Sequence, residues 1–233
     1  MTTVMQRPEA EPWRRRLYLP AYSVADAARY AQTTRQTVTF WSFARPGRAT
    51  VLPGRERNAP LSYLQLVEIA FVATFRRLGV SLPRIEKARD YLAQLFHDEY
   101  PFAQRRLLTE GKHVLLDLQE VDGGDDLARL IVADAAGQLA WRDLVGERFA
   151  EFDYEQDLAL RWHVAGRNSP VLIDPRISFG APIVRGIPTW TIRGRWKAGE
   201  TLDEIADDFD LNQEDVAAAL RFEGAEPLAD PVL

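Results

Sequence analysis

The spacing of apolar residues changes near Gly111, and this change limits what the 233-residue chain can fold into. Before Gly111, apolar side chains recur at helical spacing, which predicts amphipathic helices. After it, residues 113–118, 130–133 and 151–164 read as strands or a hairpin, with a turn at 123–124. Two helical segments close the chain. The pattern predicts an α+β protein, mainly α, with more than one domain.

Two short helices with a tight turn are predicted near the N-terminus. Ser23 is a favourable N-cap, and Asp26 three residues later resembles a capping box. The second helix starts after Thr33 or Thr34 and runs to about Phe43, with an apolar inner face. This arrangement is typical of a helix-turn-helix. Residues 1–21 before it form either a flexible arm or a strand at 17–19.

The second of these helices has side chains suited to the DNA major groove. Arg35, Gln36 and Thr39 are expected on its exposed face, where they can pair with guanine, with adenine, and with phosphate or a thymine methyl group. The turn-rich, basic segment 44–60 predicts a β-hairpin wing around 49–52. The predicted DNA-binding residues are Thr34, Arg35, Gln36, Thr37, Thr39, Arg45, Arg48, Arg55 and Arg57. The alternative is that the two helices only pack within a helical bundle.

Two further helices follow the wing segment, and together the elements resemble a known family. Ser62 with Gln65 opens a helix through Arg77, and Ser81 opens another reaching Phe96. The segments YSVADAARYAQTTRQTVTFW and LSYLQLVEIAFVATFRRLGVSLPRIEKA, with the basic segment between them, resemble the DNA-binding domain of MerR-type regulators over about 22–96. Trp41-Ser42 departs from the usual aromatic pair, and no sensor cysteines or long dimerising coiled coil follow. The resemblance implies a winged helix-turn-helix, without metal or drug sensing.

The charge is divided unequally along the chain. Residues 1–112 hold 18 Lys and Arg against 10 Asp and Glu, a balance of +8, whereas residues 113–233 hold 11 against 24, a balance of −13, and the two sum to the net charge of −5. A basic half can bind a polyanion through phosphate neutralisation. An acidic half is better suited to meet a basic protein.

The C-terminal segment resembles a second family. In DPRISFGAPIVRGIPTWTIRGRWKAGETLDEIADDFDLNQEDVAAALRFE, the pattern Asp-Pro, Phe-Gly-x-Pro, Arg-Gly and a helix followed by Gly resembles the small helix-turn-helix domain of VapB-type antitoxins over about 174–223. Both modules in one chain resemble the larger, mycobacterial-type VapB antitoxins. The resemblance implies a PIN-like ribonuclease toxin as partner. We expect an N-terminal arm (1–21), a MerR-like DNA-binding domain (22–111), a β-rich connecting segment (112–170) and an antitoxin helix-turn-helix domain (171–233).

The sequence does not decide which surface of the C-terminal domain contacts a partner. The sequence predicts helices over 202–209 and 213–222, capped by Thr201 and Asn212. They carry many carboxylates, which disfavour DNA binding. These carboxylates form either a solvated face or a surface for self-association or toxin docking. A basic patch precedes them, and Trp190 and Trp196 are either core residues or, if exposed, partner anchors. The predicted partner-binding residues are Arg185, Trp190, Arg193, Arg195 and Trp196.

Several other function classes find little support in the sequence. The chain has no cysteine, and His97, His113 and His163 are scattered, so we expect no metal, cofactor or catalytic residues. No apolar run is long enough for a membrane span, and the N-terminus is too polar for a signal peptide, so we expect a cytoplasmic protein with no membrane partner. The favoured hypothesis is an antitoxin that represses its own operon as a homodimer. The alternatives are a stand-alone MerR-like regulator with a dimerising or effector-binding C-terminal domain, and a metal-dependent nuclease.

Overall fold

The computed structural model describes residues 12–42, 51–52, 59–104 and 146–225. These residues are mainly helical with one small antiparallel sheet, which confirms the predicted α+β class. They divide into two compact units. The first holds the described residues up to Phe149 together with Tyr154–Ala159, and the second holds Ala150–Asp153 and the described residues from Leu160 onward.

Some predicted elements fall outside this description. The strands at 113–118 and 130–133 and the turn at 123–124 lie outside the described residues, as does the predicted wing except for a bend at 51–52. The domain boundaries expected from the sequence stay predictions.

The first unit is built around a sequence of helices. In chain order these are α1 (Pro12–Arg16), α2 (Val24–Tyr30), α3 (Arg35–Ser42), α4 (Tyr63–Arg77), α5 (Leu82–Phe96) and a 3-10 helix at Pro101–Ala103. The alternative of a strand at 17–19 is wrong. That segment is a turn that follows α1, because the N–H groups of Leu17, Tyr18 and Leu19 bond back to carbonyls three residues earlier at 3.2 Å. Leu17 is buried and its carbonyl accepts the N–H of Leu64 at 3.3 Å, which anchors this part of the chain.

Helix α4 is the centre of the first unit. Twelve of its 15 residues are buried, so it is apolar on nearly every side, as a helix surrounded by other elements must be. Its aromatic side chains pack on rings from elsewhere in the unit: Phe71 lies 4.9 Å from Phe149, and Phe75 lies 5.3 Å from Phe102, both as ring-centroid distances.

A buried carboxylate on α4 ties the unit together. Glu68 is fully buried, accepts the Phe102 N–H at 2.7 Å and lies 3.2 Å from the Arg89 Nε of α5. Arg89 in turn donates to the carbonyl of Glu99. Burial raises the pKa of Glu68 to about 7, against the opposing effect of Arg89 and the backbone N–H groups. This carboxylate joins α4, α5 and the segment that follows α5.

The sheet is a meander whose strands follow chain order. Its strands are β1 (Phe152–Glu155), β2 (Leu158–Trp162), β3 (Leu172–Ile173), β4 (Pro182–Val184) and β5 (Ile187–Pro188). The predicted hairpin within 151–164 is confirmed as β1 and β2. In the register of the remaining strands, Ile173 lies opposite Pro182 and Ile183 lies opposite Pro188.

The second unit ends in three helices that close over β4. These are α6 (Thr189–Lys197), α7 (Leu202–Phe209) and α8 (Gln213–Phe222). Their inner faces meet at a core that includes Val184, Ile192, Ile205, Val216 and Leu220. Helices α7 and α8 have the predicted bounds and the predicted caps, Thr201 and Asn212.

Candidate functional site

The α2–α3 pair has the geometry of a helix-turn-helix. The capping box that begins α2 is confirmed: the Ser23 Oγ accepts the Asp26 N–H at 3.1 Å, and the Asp26 carboxylate accepts the Ser23 N–H at 3.1 Å. Between the helices the chain turns through Gln32, whose φ of 54° lies in the left-handed region. Thr34 then caps α3, since its Oγ1 accepts the Thr37 N–H at 3.1 Å.

The two faces of α3 differ in the way the sequence predicts. Val38 and Trp41 are buried on the inner side. Arg35, Gln36 and Thr39 are exposed on the outer side, next to one another along the helix. The first turn of α3 contains no carboxylate, so its N-terminal amides present a positive end to the solvent. Arginine, glutamine and threonine on such a face provide donors for bases and phosphates.

Contacts from α4 hold the α2–α3 pair in place. The guanidinium of Arg77 donates to the Ala31 carbonyl at the end of α2 at 3.2 Å. At the other end of α2, Tyr22 and Leu61 form a short antiparallel bridge that joins the residues before α2 to those before α4. The pair therefore rests on the rigid centre of its unit, which orients the outer face of α3.

The described structure contains only part of the predicted DNA-binding set. Thr34, Arg35, Gln36, Thr37 and Thr39 lie together on the first turns of α3. The remaining members, Arg45, Arg48, Arg55 and Arg57, lie outside the described residues.

In the second unit, the arginines predicted to bind a partner are paired with carboxylates of the same unit. The Arg185 Nε lies 2.6 Å from the Asp215 Oδ2, and Arg193 lies 3.8 Å from Glu223. Arg195 pairs with both Glu200 and Asp208, and these bonds raise its pKa. The predicted basic patch is thus largely neutralised within the unit, although Arg185 keeps 63% of its side-chain surface exposed.

The two tryptophans of α6 have different environments. Trp196 is half-buried and packs against the core, as a structural residue does. Trp190 is 61% exposed, which makes it the candidate anchor of the two. The sequence could not separate them, because their spacing does not show which one faces the core.

The acidic helices α7 and α8 are only partly as expected. Asp215 is not on an exposed acidic face: it is buried and bound to Arg185. Glu204 completes the capping box of α7, and bonds from the backbone N–H and the hydroxyl of Thr201 lower the pKa of Glu204. Asp207 and Asp210 remain exposed.

A charged cluster formed by the β1–β2 hairpin and the residues just after it was not predicted. Asp153 contacts three cationic or titratable side chains, at 3.2 Å to Arg161, 3.2 Å to His163 and 2.6 Å to Arg167. Partial burial opposes ionisation, but the bonds from Arg167 and His163 outweigh it and lower the pKa of Asp153. The network joins β1 to the residues that follow β2, which is a structural role.

Two exposed features of the second unit were not predicted. Phe179 is 85% exposed, and Gly194 lies inside α6 on an open surface. The sequence placed Phe179 in the Phe-Gly-x-Pro motif without indicating its exposure, and Gly194 was assigned no role. In the described ranges, no group of three or more His, Asp or Glu side chains is arranged to hold a metal ion. Nor does any described helix have the length and apolarity to cross a bilayer.

Both the C-terminal segment and the chain at large are similar to known proteins. Residues 171–222, from the residue before β3 to the end of α8, match a family described as “Protein of unknown function (DUF433)”. Nearly the whole chain is similar to “Putative antitoxin VapB45” of Mycobacterium tuberculosis. The identity is 27% over 227 residues, with 88% of this chain and 94% of that protein covered.

The fold also has a solved counterpart. The crystal structure of Rv2018 from Mycobacterium tuberculosis superposes with a TM-score of 0.67 at 24% identity, covering 87% of this chain and 98% of that one. At that identity, the likeness concerns the fold alone.

Proposed function

We propose that this protein is an antitoxin of a type II toxin–antitoxin system, which binds and neutralises a PIN-like ribonuclease toxin and represses its own operon by binding operator DNA. One observation carries the proposal: the similarity to a protein named as a VapB antitoxin extends over 88% of this chain and 94% of that protein. A shared domain alone would cover only part of each chain. The whole architecture is therefore the basis of the proposal.

The proposed DNA contact is the outer face of α3. Arg35, Gln36 and Thr39 are exposed side by side on a helix whose start is free of carboxylates. The positive balance of residues 1–112 supports attraction to a phosphate backbone. A homodimer would present two such helices to half-sites about one helical turn apart.

The proposed toxin contact lies in the second unit. The described part of this unit carries an exposed tryptophan, and residues 113–233 have a balance of −13, which disfavours DNA and favours a basic protein. A nuclease that binds RNA is such a protein. In this proposal the antitoxin itself catalyses no reaction.

Two measurements on the unaltered chain test the proposal. The first is footprinting on the DNA upstream of its own gene, where a protected palindrome is expected. The second is growth of cells that express the product of the adjacent gene, with and without this chain; we expect growth arrest that co-expression relieves. No protected site would contradict the repressor role, and arrest that persists on co-expression with this chain would contradict the antitoxin role.

A further inference from the structure

The outer side of α6 combines an exposed tryptophan with a bare glycine. Trp190, Gly194 and Lys197 stand at positions i, i+4 and i+7, so they share one side of the helix. All three are exposed. Ile192 lies on the opposite side, buried in the core. Helix α6 therefore packs on the core through other residues, and Trp190 stays exposed to solvent.

Among the residues that the structure describes, none requires a glycine at position 194. Glycine destabilises a helix interior relative to alanine. A Cβ added at Gly194 would meet no heavy atom within 4 Å, so internal packing does not demand its absence. Gly194 is also not among the residues with a positive φ, so the backbone conformation does not demand glycine either. A helix surface without a side chain at this position allows close approach by the backbone of another molecule.

The charge of α6 indicates what kind of molecule this is. The helix, TWTIRGRWK, contains Arg193, Arg195 and Lys197 and no carboxylate, but Arg195 is already bound to two carboxylates of its own unit. Arg193 lies on the flank of the outer side, and its contact with Glu223 is long, at 3.8 Å. A symmetric contact with a second copy would bring Lys197 and Arg193 of the two copies together, which is unfavourable. The face suits a different protein that has carboxylates beside an apolar pocket, and a toxin that is basic overall can carry such a local acidic surface.

We propose that this outer α6 face, formed by Trp190, Arg193, Gly194 and Lys197, is the surface that docks the toxin. The indole of Trp190 fills an apolar pocket of the partner, the partner's backbone packs over Gly194, and partner carboxylates meet Lys197 and Arg193. An exposed tryptophan beside a close-packed contact is the composition of a binding hot spot. This inference rests on the proposed function and adds the surface through which it operates.

Phe179 precedes β4 at the same end of the β4–β5 hairpin as the start of α6. Ile183 pairs with Pro188, so the residues before Pro182 and those after Pro188 lie at the same hairpin end. Ser178 and Phe179 have φ values of 47° and 55°, a left-handed conformation that is unfavourable for both. Arg176 binds the buried Asp174 carboxylate at 2.8 Å and steadies this turn. A strained, braced turn that holds a phenylalanine 85% exposed presents it to a partner.

The test uses the full chain and the product of the adjacent gene, with affinity measured by calorimetry and stability by thermal unfolding. Trp190→Ala and Gly194→Gln are expected to weaken binding by about tenfold or more. Gly194→Gln should also raise Tm, because it replaces a helical glycine. Gly194→Ala is the matched control: it should raise Tm with much less loss of affinity. Asp207→Asn with Asp210→Asn removes two exposed charges outside the contact, which act only at long range through screened attraction, and should leave affinity within about threefold.

The outcomes separate this inference from the proposed function. If the unaltered chain does not bind the gene product, both fall. If it binds and the Trp190 and Gly194→Gln variants bind as tightly, the α6 face is overturned while the antitoxin role stands. The face is also overturned if these variants leave toxin binding unchanged but abolish self-association in sedimentation velocity, since its occupant is then a second copy. A variant that binds less tightly while unfolding at or above the parent's Tm supports the face.

Discussion

Glu68 is a carboxylate placed where water cannot reach it. Its hydrogen-bonded partners, the N–H groups of Phe102 and Ala103 and the Arg89 side chain, only partly replace the lost hydration, so its pKa is raised to about 7 from an ordinary value of 4.5. The folded state therefore binds a proton more tightly at Glu68 than the unfolded state does. The stabilising effect of that proton is complete below about pH 4.5 and is lost as the pH rises towards 7.

A pH series on Glu68→Gln tests this account. Relative to the variant, the parent's free energy of unfolding should fall by roughly 2–4 kcal/mol between pH 4.5 and 8, because only the parent must ionise a buried group. Denaturant unfolding at several pH values measures the difference. Glu99→Gln, an exposed carboxylate nearby, serves as control and should show no such trend. Curves for Glu68→Gln and parent that run parallel across this range would contradict the assignment.

Arg185 shows how a sequence motif can indicate stability rather than recognition. Its guanidinium covers the buried carboxylate of Asp215, so Arg185→Ala leaves that charge without its partner. We expect a loss of about 1–3 kcal/mol in the stability of the chain, measured by urea unfolding. Arg221→Ala removes an equal charge from an exposed pair with Glu214 and should cost less than about 0.5 kcal/mol. Equal effects of the two variants would show that the Asp215 pair has no special role.

The first residues of helices were predicted best, because the capping signal lies within a few neighbouring residues. Ser23, Ser62 and Thr201 each form a capping box with the third residue of the helix that follows, as their spacing predicts. Helix α6 lacks an N-cap signal, because Pro188 precedes it and no side chain caps it. Its apolar residues also do not form one clear helical stripe. Only the family resemblance placed a helix there. The turn after α1 could not be predicted either, because three consecutive apolar residues are as typical of a strand as of a buried turn.

The cap of α7 can be tested directly. Thr201→Ala removes the Oγ1 that accepts the Glu204 N–H at 3.2 Å, together with the hydroxyl that donates to the Glu204 carboxylate. The expected cost is about 1 kcal/mol, seen as a lower Tm. Thr201→Ser keeps both bonds and should behave nearly as the parent. A Thr201→Ser variant as unstable as Thr201→Ala would show that the methyl group, not the cap, matters.

The sequence could not show which residues are exposed and able to contact a partner. Exposure depends on packing between segments that are far apart in the chain. Composition indicated a basic N-terminal half and an acidic C-terminal half, and the helix pattern indicated which side of α3 faces outward. Neither indicated that Trp190 is exposed while Trp196 is half-buried, or that Asp215 is buried against Arg185. Those facts depend on how α6 and α8 pack around β4.

The division of charge across the whole molecule predicts how DNA binding responds to salt. If the basic half neutralises several phosphates, operator affinity should fall by roughly a thousandfold between 50 and 200 mM salt. Fluorescence anisotropy with the upstream DNA measures this slope. An affinity that hardly changes over the range would mean that phosphate contacts contribute little, against the role assigned to the +8 balance of residues 1–112.

The central claim is that one chain uses separate surfaces for operator DNA and for a toxin. The most direct test is Arg35→Ala, measured in parallel for operator affinity and for relief of the growth arrest caused by the adjacent gene product. We predict that operator affinity falls at least about tenfold, since a bidentate guanine contact is lost, while relief of arrest is unchanged. Operator affinity equal to the parent's, or loss of both activities in a variant that folds normally, would contradict the account.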